Sequence, residues 1–152
     1  MIDRRTALAM TAATFAAGGF GTAHAALKSP DDVKTALRLM MQVTNDFDRQ
    51  ITRKTFPRLP HENEEFKEAT DALTKAIAGE PNAFKAKVGG EVTKARALAQ
   101  KIADESGAGQ EATLRADHGQ MLKAVNAVFD NFPADLRPDP NVQPGRPAPK
   151  AT

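Results

Sequence analysis

The chain has 152 residues, 21 basic and 19 acidic side chains, a formal net charge of +2 and no cysteine. That length fits one domain, the missing thiols exclude disulfides and a cysteine nucleophile, and the evenly mixed charge implies neither nucleic acid nor an anionic membrane surface as partner. Trp and Tyr are absent, so eight Phe supply all the aromatic mass.

Arg4 and Arg5 precede a weakly apolar run from Ala7 to Phe20, which ends in Ala23-His24-Ala25. A charged start, an apolar middle and an Ala-x-Ala close are the parts of a secretory signal peptide. Cleavage is expected between Ala25 and Ala26. The run is too short, and too rich in Gly and Thr, to anchor in a bilayer. Arg4-Arg5-Thr6-Ala7-Leu8 is similar to a twin-arginine signal; an ordinary charged start that happens to hold two arginines is the alternative. The mature chain is expected in the periplasm or secreted. Residues 26–133 form the expected domain, and residues 134–152 a tail.

Ser29-Pro30-Asp31-Asp32 reads as a helix start: Ser29 caps, Pro30 suits the first turn, and the acids complement the helix dipole. Val33, Leu37, Met40, Thr44, Phe47 and Ile51 then follow at heptad spacing, and Phe56-Pro57 stops the helix. Residues 57–63 are expected to be a loop. A second helix is expected over residues 64–78, with Phe66, Ala69, Leu73 and Ile77 on one face and Gly79 as a left-handed cap.

Pro81-Asn82 opens a third helix with a stripe of Phe84, Val88, Val92, Ala95, Ala99 and Ile102. Gly89-Gly90 should weaken or bend it, at about 1 kcal/mol per glycine. Residues 106–109 form a turn. The fourth helix is expected over residues 110–132, with Leu114, His118, Met121, Val125, Val128 and Phe132 on its seam and Pro133 as its stop. The remainder holds five prolines and no apolar period, so an extended or disordered segment is expected. The fold class is therefore all-α, an antiparallel four-helix bundle.

Few residues could carry chemistry. His61 lies beside Glu62, Glu64 and Glu65, which suits a solvated acidic segment or, through His61, Glu62 and Glu65, a metal site. His118 falls on the fourth seam, as a half-buried histidine bonded to Asp46 or Asp48, or as a ligand. A metal normally needs several convergent ligands. The Glu-x-x-His pattern of di-iron bundles is missing, since Arg115 stands three residues before His118. No Ser-His-Asp order and no phosphate loop argues for an enzyme. Four-helix cytochromes that hold haem noncovalently use a Met and a His, which would here be Met40, Met41 or Met121 with His118. Antiparallel register places Met40 level with residues near 124, about 9 Å along the axis from His118, whereas two axial ligands must lie level. Met in such a seam is ordinary core filler.

The fourth helix resembles that of the cytochrome c prime family, periplasmic four-helix bundles with covalent haem. The likeness rests on Gly119, Lys123-Ala124 and Phe132, which fall where the family pattern has them. It extends to Asn82-Ala83-Phe84-Lys85-Ala86-Lys87 at the start of the third helix and to the Met-bearing first helix. In the family's Cys-x-x-Cys-His places this chain has Val125, Val128 and Phe129. Two thioethers require two thiols and the iron requires a lone pair, so covalent haem is excluded. The resemblance implies a haem-free bundle in which these three side chains fill the porphyrin's volume, and a homodimer through helix faces. The expected function is non-catalytic binding of a protein or small ligand of unknown identity, without a cofactor. A noncovalent haem protein and a metal-binding protein are the alternatives.

Overall fold

The computed structural model describes residues 26–139; residues 1–25, the expected signal peptide, and residues 140–152 lie outside them. Four helices follow in chain order: α1 (Pro30–Thr52), α2 (Leu59–Ala76), α3 (Asn82–Glu105) and α4 (Glu111–Phe129). Short 3₁₀ turns at Phe56–Arg58 and Ser106–Ala108 connect α1 to α2 and α3 to α4. Each helix packs on its chain neighbour and α4 closes onto α1. Polar bonds between helices record the antiparallel direction. Lys54, Asp48 and Thr44 descend α1 and its end as Glu111, Arg115 and His118 ascend α4.

The core is the α1 seam laid against the other three stripes. Val33, Leu37, Met40, Thr44, Phe47 and Ile51 are all fully buried, as heptad spacing requires of one face. The weak seam position, Thr44, satisfies its hydroxyl by donating to the Met40 carbonyl at 2.7 Å. Phe66, Leu73, Ala95, Ile102, Leu114, Val125 and Val128 complete the same core. Helices of this length persist only because such faces are buried.

The helix ends differ from the sequence reading in four places. The helix α1 stops at Thr52, before Phe56-Pro57. Lys54 takes a left-handed φ of 57°, the Thr55 N–H bonds the Gln50 carbonyl at 2.9 Å, and the Lys54 N–H bonds that of Ile51 at 3.1 Å. That is a Schellman cap with lysine in the place usually given to glycine, so no residue type announced it. Residues 57–63 are not a loop. Pro60 sits in the first turn of α2, where a missing N–H costs nothing, and the helix starts at Leu59.

Ser29 makes no side-chain cap; its backbone carbonyl accepts from Val33 instead. Gly79 is not left-handed either: among the described residues, the glycine with positive φ is Gly109, at 64°. The chain folds so closely at Gly79 that an added Cβ would lie 3.0 Å from the Lys28 side chain. The helix α3 runs unbroken through Gly89-Gly90.

Beyond α4 the packing continues. Phe132 is fully buried and meets Phe84 edge-on, with ring centroids 5.6 Å apart. Residues 134–139 do not hang free as a tail. Leu136 is buried, and Arg137 donates to the Phe132 carbonyl at 2.7 Å and to Asp130 at 3.3 Å.

Two substitutions test this architecture. Phe132→Ala removes a buried ring and its edge contact, and should cost about 3–5 kcal/mol of unfolding free energy in denaturant titration. Lys54→Gly relieves the left-handed strain, worth about 1–2 kcal/mol in an L-residue. Against this it loses the exposed 3.4 Å pair with Glu111, worth about 0–1 kcal/mol. A small net gain, seen as a rise in Tm, is expected.

Candidate functional site

The helix α2 begins early enough that Glu62 falls on its inner face. Leu59, Glu62, Asn63 and Phe66 are all buried, the spacing of one helical stripe. Glu62, read from the sequence as part of a solvated acidic segment, is only 4% exposed. It accepts a hydrogen bond from Gln50 Nε2 at 2.9 Å, and Thr55 donates its hydroxyl to Gln50 in turn. This polar chain joins the end of α1 to the start of α2.

Three carboxylates converge there. Asp46 on α1 and Glu62 and Glu65 on α2 each offer an oxygen, and these oxygens lie within 4.8 Å of one another. Asp46 Oδ1 is buried, receives no well-directed hydrogen bond, and has the Arg49 guanidinium 2.6 Å away. Burial holds the Asp46 carboxyl above its usual range, against the pull of Arg49 and with help from Glu65. Burial likewise raises Glu62, where the Gln50 bond and His61 lower it and Asp46 and Glu65 raise it further.

His61 lies on the first turn of α2 rather than in a loop. Its side chain is exposed, and Nε2 sits 3.2 Å from Glu65 Oε1. Two of the residues expected as metal candidates, Glu62 and Glu65, are therefore brought together, with His61 on the rim. Asp46 was missed, because its α1 neighbours gave no hint of what α2 would set against it.

His118 stands elsewhere. The seam residue at that level of α4 is Asp117, which is buried, while His118 is half-buried. Its Nε2 lies 2.9 Å from the Thr44 carbonyl. A carbonyl only accepts, so Nε2–H donates, and the bond goes to backbone rather than to Asp46 or Asp48. This contact also corrects the expected register. With Thr44 opposite His118, Met40 lies level with residues near 122, and His118 is one turn from it, about 6 Å along the axis.

Met40 and Met121 are fully buried in the core, and Met41 is 5% exposed. Val125 and Val128 are fully buried, and Phe129 is 4% exposed. The three positions matching the haem motif thus form a continuous hydrocarbon wall on α4, within the core that holds Met40.

An open groove of about 480 Å³ runs between the first half of α1 and the segment after α4. Lys34, Arg38 and Arg137 supply its cations, Asp135 and Asp139 its acids, and Met41 and Pro138 its apolar surface. No helix among the described residues is long and apolar enough to cross a membrane. No protein-family model, curated protein or solved structure matches the chain.

The raised carboxyls at the α1–α2 junction have a measurable consequence. The folded chain binds these protons more tightly than the unfolded one. The stability they contribute is complete below the ordinary values of 3.8 and 4.5 and is lost as pH rises through the raised values. Glu62→Gln keeps an acceptor for Gln50 and removes the charge. Its Tm should exceed that of the wild type by a margin that widens from about pH 4 to about pH 7.

Proposed function

We propose that this chain is a haem-free relative of the cytochrome c prime bundles, acting in the cell envelope as a non-catalytic binding protein. The observation that carries the reading is the hydrocarbon wall of Val125, Val128 and Phe129. A porphyrin needs a cavity and an axial lone pair, and this wall supplies neither. Packing at protein-interior density leaves no slack for a macrocycle without displacing these side chains. His118 supports the same reading, because its Nε2 is engaged with the Thr44 carbonyl. With the core filled, a ligand is met at the surface, and the groove lined by Lys34, Arg38, Met41, Asp135 and Asp139 offers a small polar molecule charges of both signs beside apolar surface.

The test is a haem titration of the purified chain followed by absorbance. No saturable Soret band is expected. A stoichiometric band that disappears in His118→Ala would replace this reading with noncovalent haem binding.

A second reading, a divalent-cation-binding protein, is favoured by the convergence of Asp46, Glu62 and Glu65 within 4.8 Å. All-oxygen ligands suit hard cations such as calcium or magnesium. Calorimetry with each cation separates the two readings: stoichiometric binding lost in Glu62→Gln supports the second, and its absence leaves the first.

A further inference from the structure

The far end of the α3–α4 hairpin holds a second group of acids. Asp117 on α4 is 4% exposed, an unusual place for an aspartate unless it is fully paired. One oxygen, Oδ1, accepts from Lys101 Nζ at 2.8 Å. The other, Oδ2, is sealed from water and has no donor. Glu105, one turn after Lys101 on α3, repeats the pattern. Its Oε1 lies 3.7 Å from the same ammonium, and its buried Oε2 also has no donor. The two carboxyl groups thus converge on one ammonium, Asp117 at 2.8 Å and Glu105 at 3.7 Å from Lys101 Nζ. Two buried, undonated carboxylate oxygens side by side would be costly if both groups were ionised. One proton between them satisfies both.

We infer that Glu105 and Asp117 hold a single proton between them, and that this proton fastens the C-terminal end of α3 to α4 at low pH and lets go as the pH rises. In the fastened state the Glu105 carboxyl O–H donates to the Asp117 carboxylate. In the released state the proton has passed to solvent and two carboxylates share Lys101. The hairpin turn lies directly beyond the pair: Ser106–Ala108 and left-handed Gly109 connect Glu105 to α4. Releasing the pair therefore loosens the turn first.

The surrounding charges agree with this assignment. The Lys101 bond holds Asp117 below the usual aspartate range, and the Asp117 bond holds Glu105 above the usual glutamate range. Thus Glu105 keeps the proton. The Glu105 contribution is complete below 4.5 and is lost as pH rises through its raised value, while that of Asp117 is present above 3.8 and is lost as pH falls through its lowered value. Among the described residues, no charged group of α1 or α2 acts on either acid. Asp104 on α3 takes a bond from Gln100. On α4, Glu111 and Arg115 pair with each other and with Lys54 and Asp48, and His118 faces Thr44.

A carbon-detected NMR titration of the full chain tests the inference. The Glu105 carboxyl should titrate above the ordinary glutamate range, and in Asp117→Asn its midpoint should fall back into that range. Amide exchange over residues 106–109, corrected for the intrinsic rate, should accelerate in the wild type with the same midpoint as Glu105. In Glu105→Gln, whose amide donates at every pH, that acceleration should vanish. An ordinary midpoint in the wild type overturns the inference, as does a raised midpoint that survives Asp117→Asn. If Asp117→Asn does not fold, Glu105→Gln decides alone: exchange that keeps the wild-type pH dependence overturns the shared proton.

Discussion

The burial of the α1 seam against α4 is the constraint on which the rest of the structure depends. Leu37, Met40, Phe47 and Ile51 are each sealed from water on α1, and Met121, Val125 and Val128 are sealed on α4. Neither helix has partners enough to persist alone, and α1 to α4 is the closure that turns two helical hairpins into one bundle. Because both sides of the closure are hydrocarbon, packing is its main support. The surface contacts that cross it, Arg115 with Asp48 and Lys54 with Glu111, are exposed pairs of the kind that set register and add little stability.

Polar groups in the interior tie each helix to the next. The Thr55–Gln50–Glu62 chain ties α1 to α2. Arg96 on α3 reaches Thr70 at 2.6 Å and the Lys67 carbonyl at 2.8 Å on α2. Lys101, Glu105 and Asp117 tie α3 to α4. Each successive pair of helices thus has its own hydrogen-bonded lock, while the α1–α4 closure has the His118 bond to backbone and two exposed ion pairs. Locks between chain neighbours fix the angle of each hairpin, and the greasy closure then has little freedom left.

The number of helices, their order and their inner faces were legible because heptad spacing maps directly onto burial: all six α1 seam residues are sealed. The failures were local. Lysine at a left-handed cap, proline inside a first turn rather than in a loop, and a glycine that does not take the left-handed φ each reflect tertiary context overriding residue preference. Leu136 escaped notice because one apolar residue among prolines has no period to reveal it. The polar sites were harder. Asp46 lies 16 and 19 positions before Glu62 and Glu65, across a turn, and Glu105 with Asp117 needs the α3–α4 register. His118 was displaced from the seam by a single position, which moved Asp117 inward and gave the histidine a backbone partner.

A hydrocarbon-filled interior at Val125, Val128 and Phe129 is the claim from which the functional reading grows. Native mass spectrometry of the protein taken from its own cells, under conditions that keep noncovalent ligands bound, tests it most directly. The account predicts the mass of the polypeptide alone, or of whole-number multiples of it. A species heavier by one tetrapyrrole per chain would contradict it.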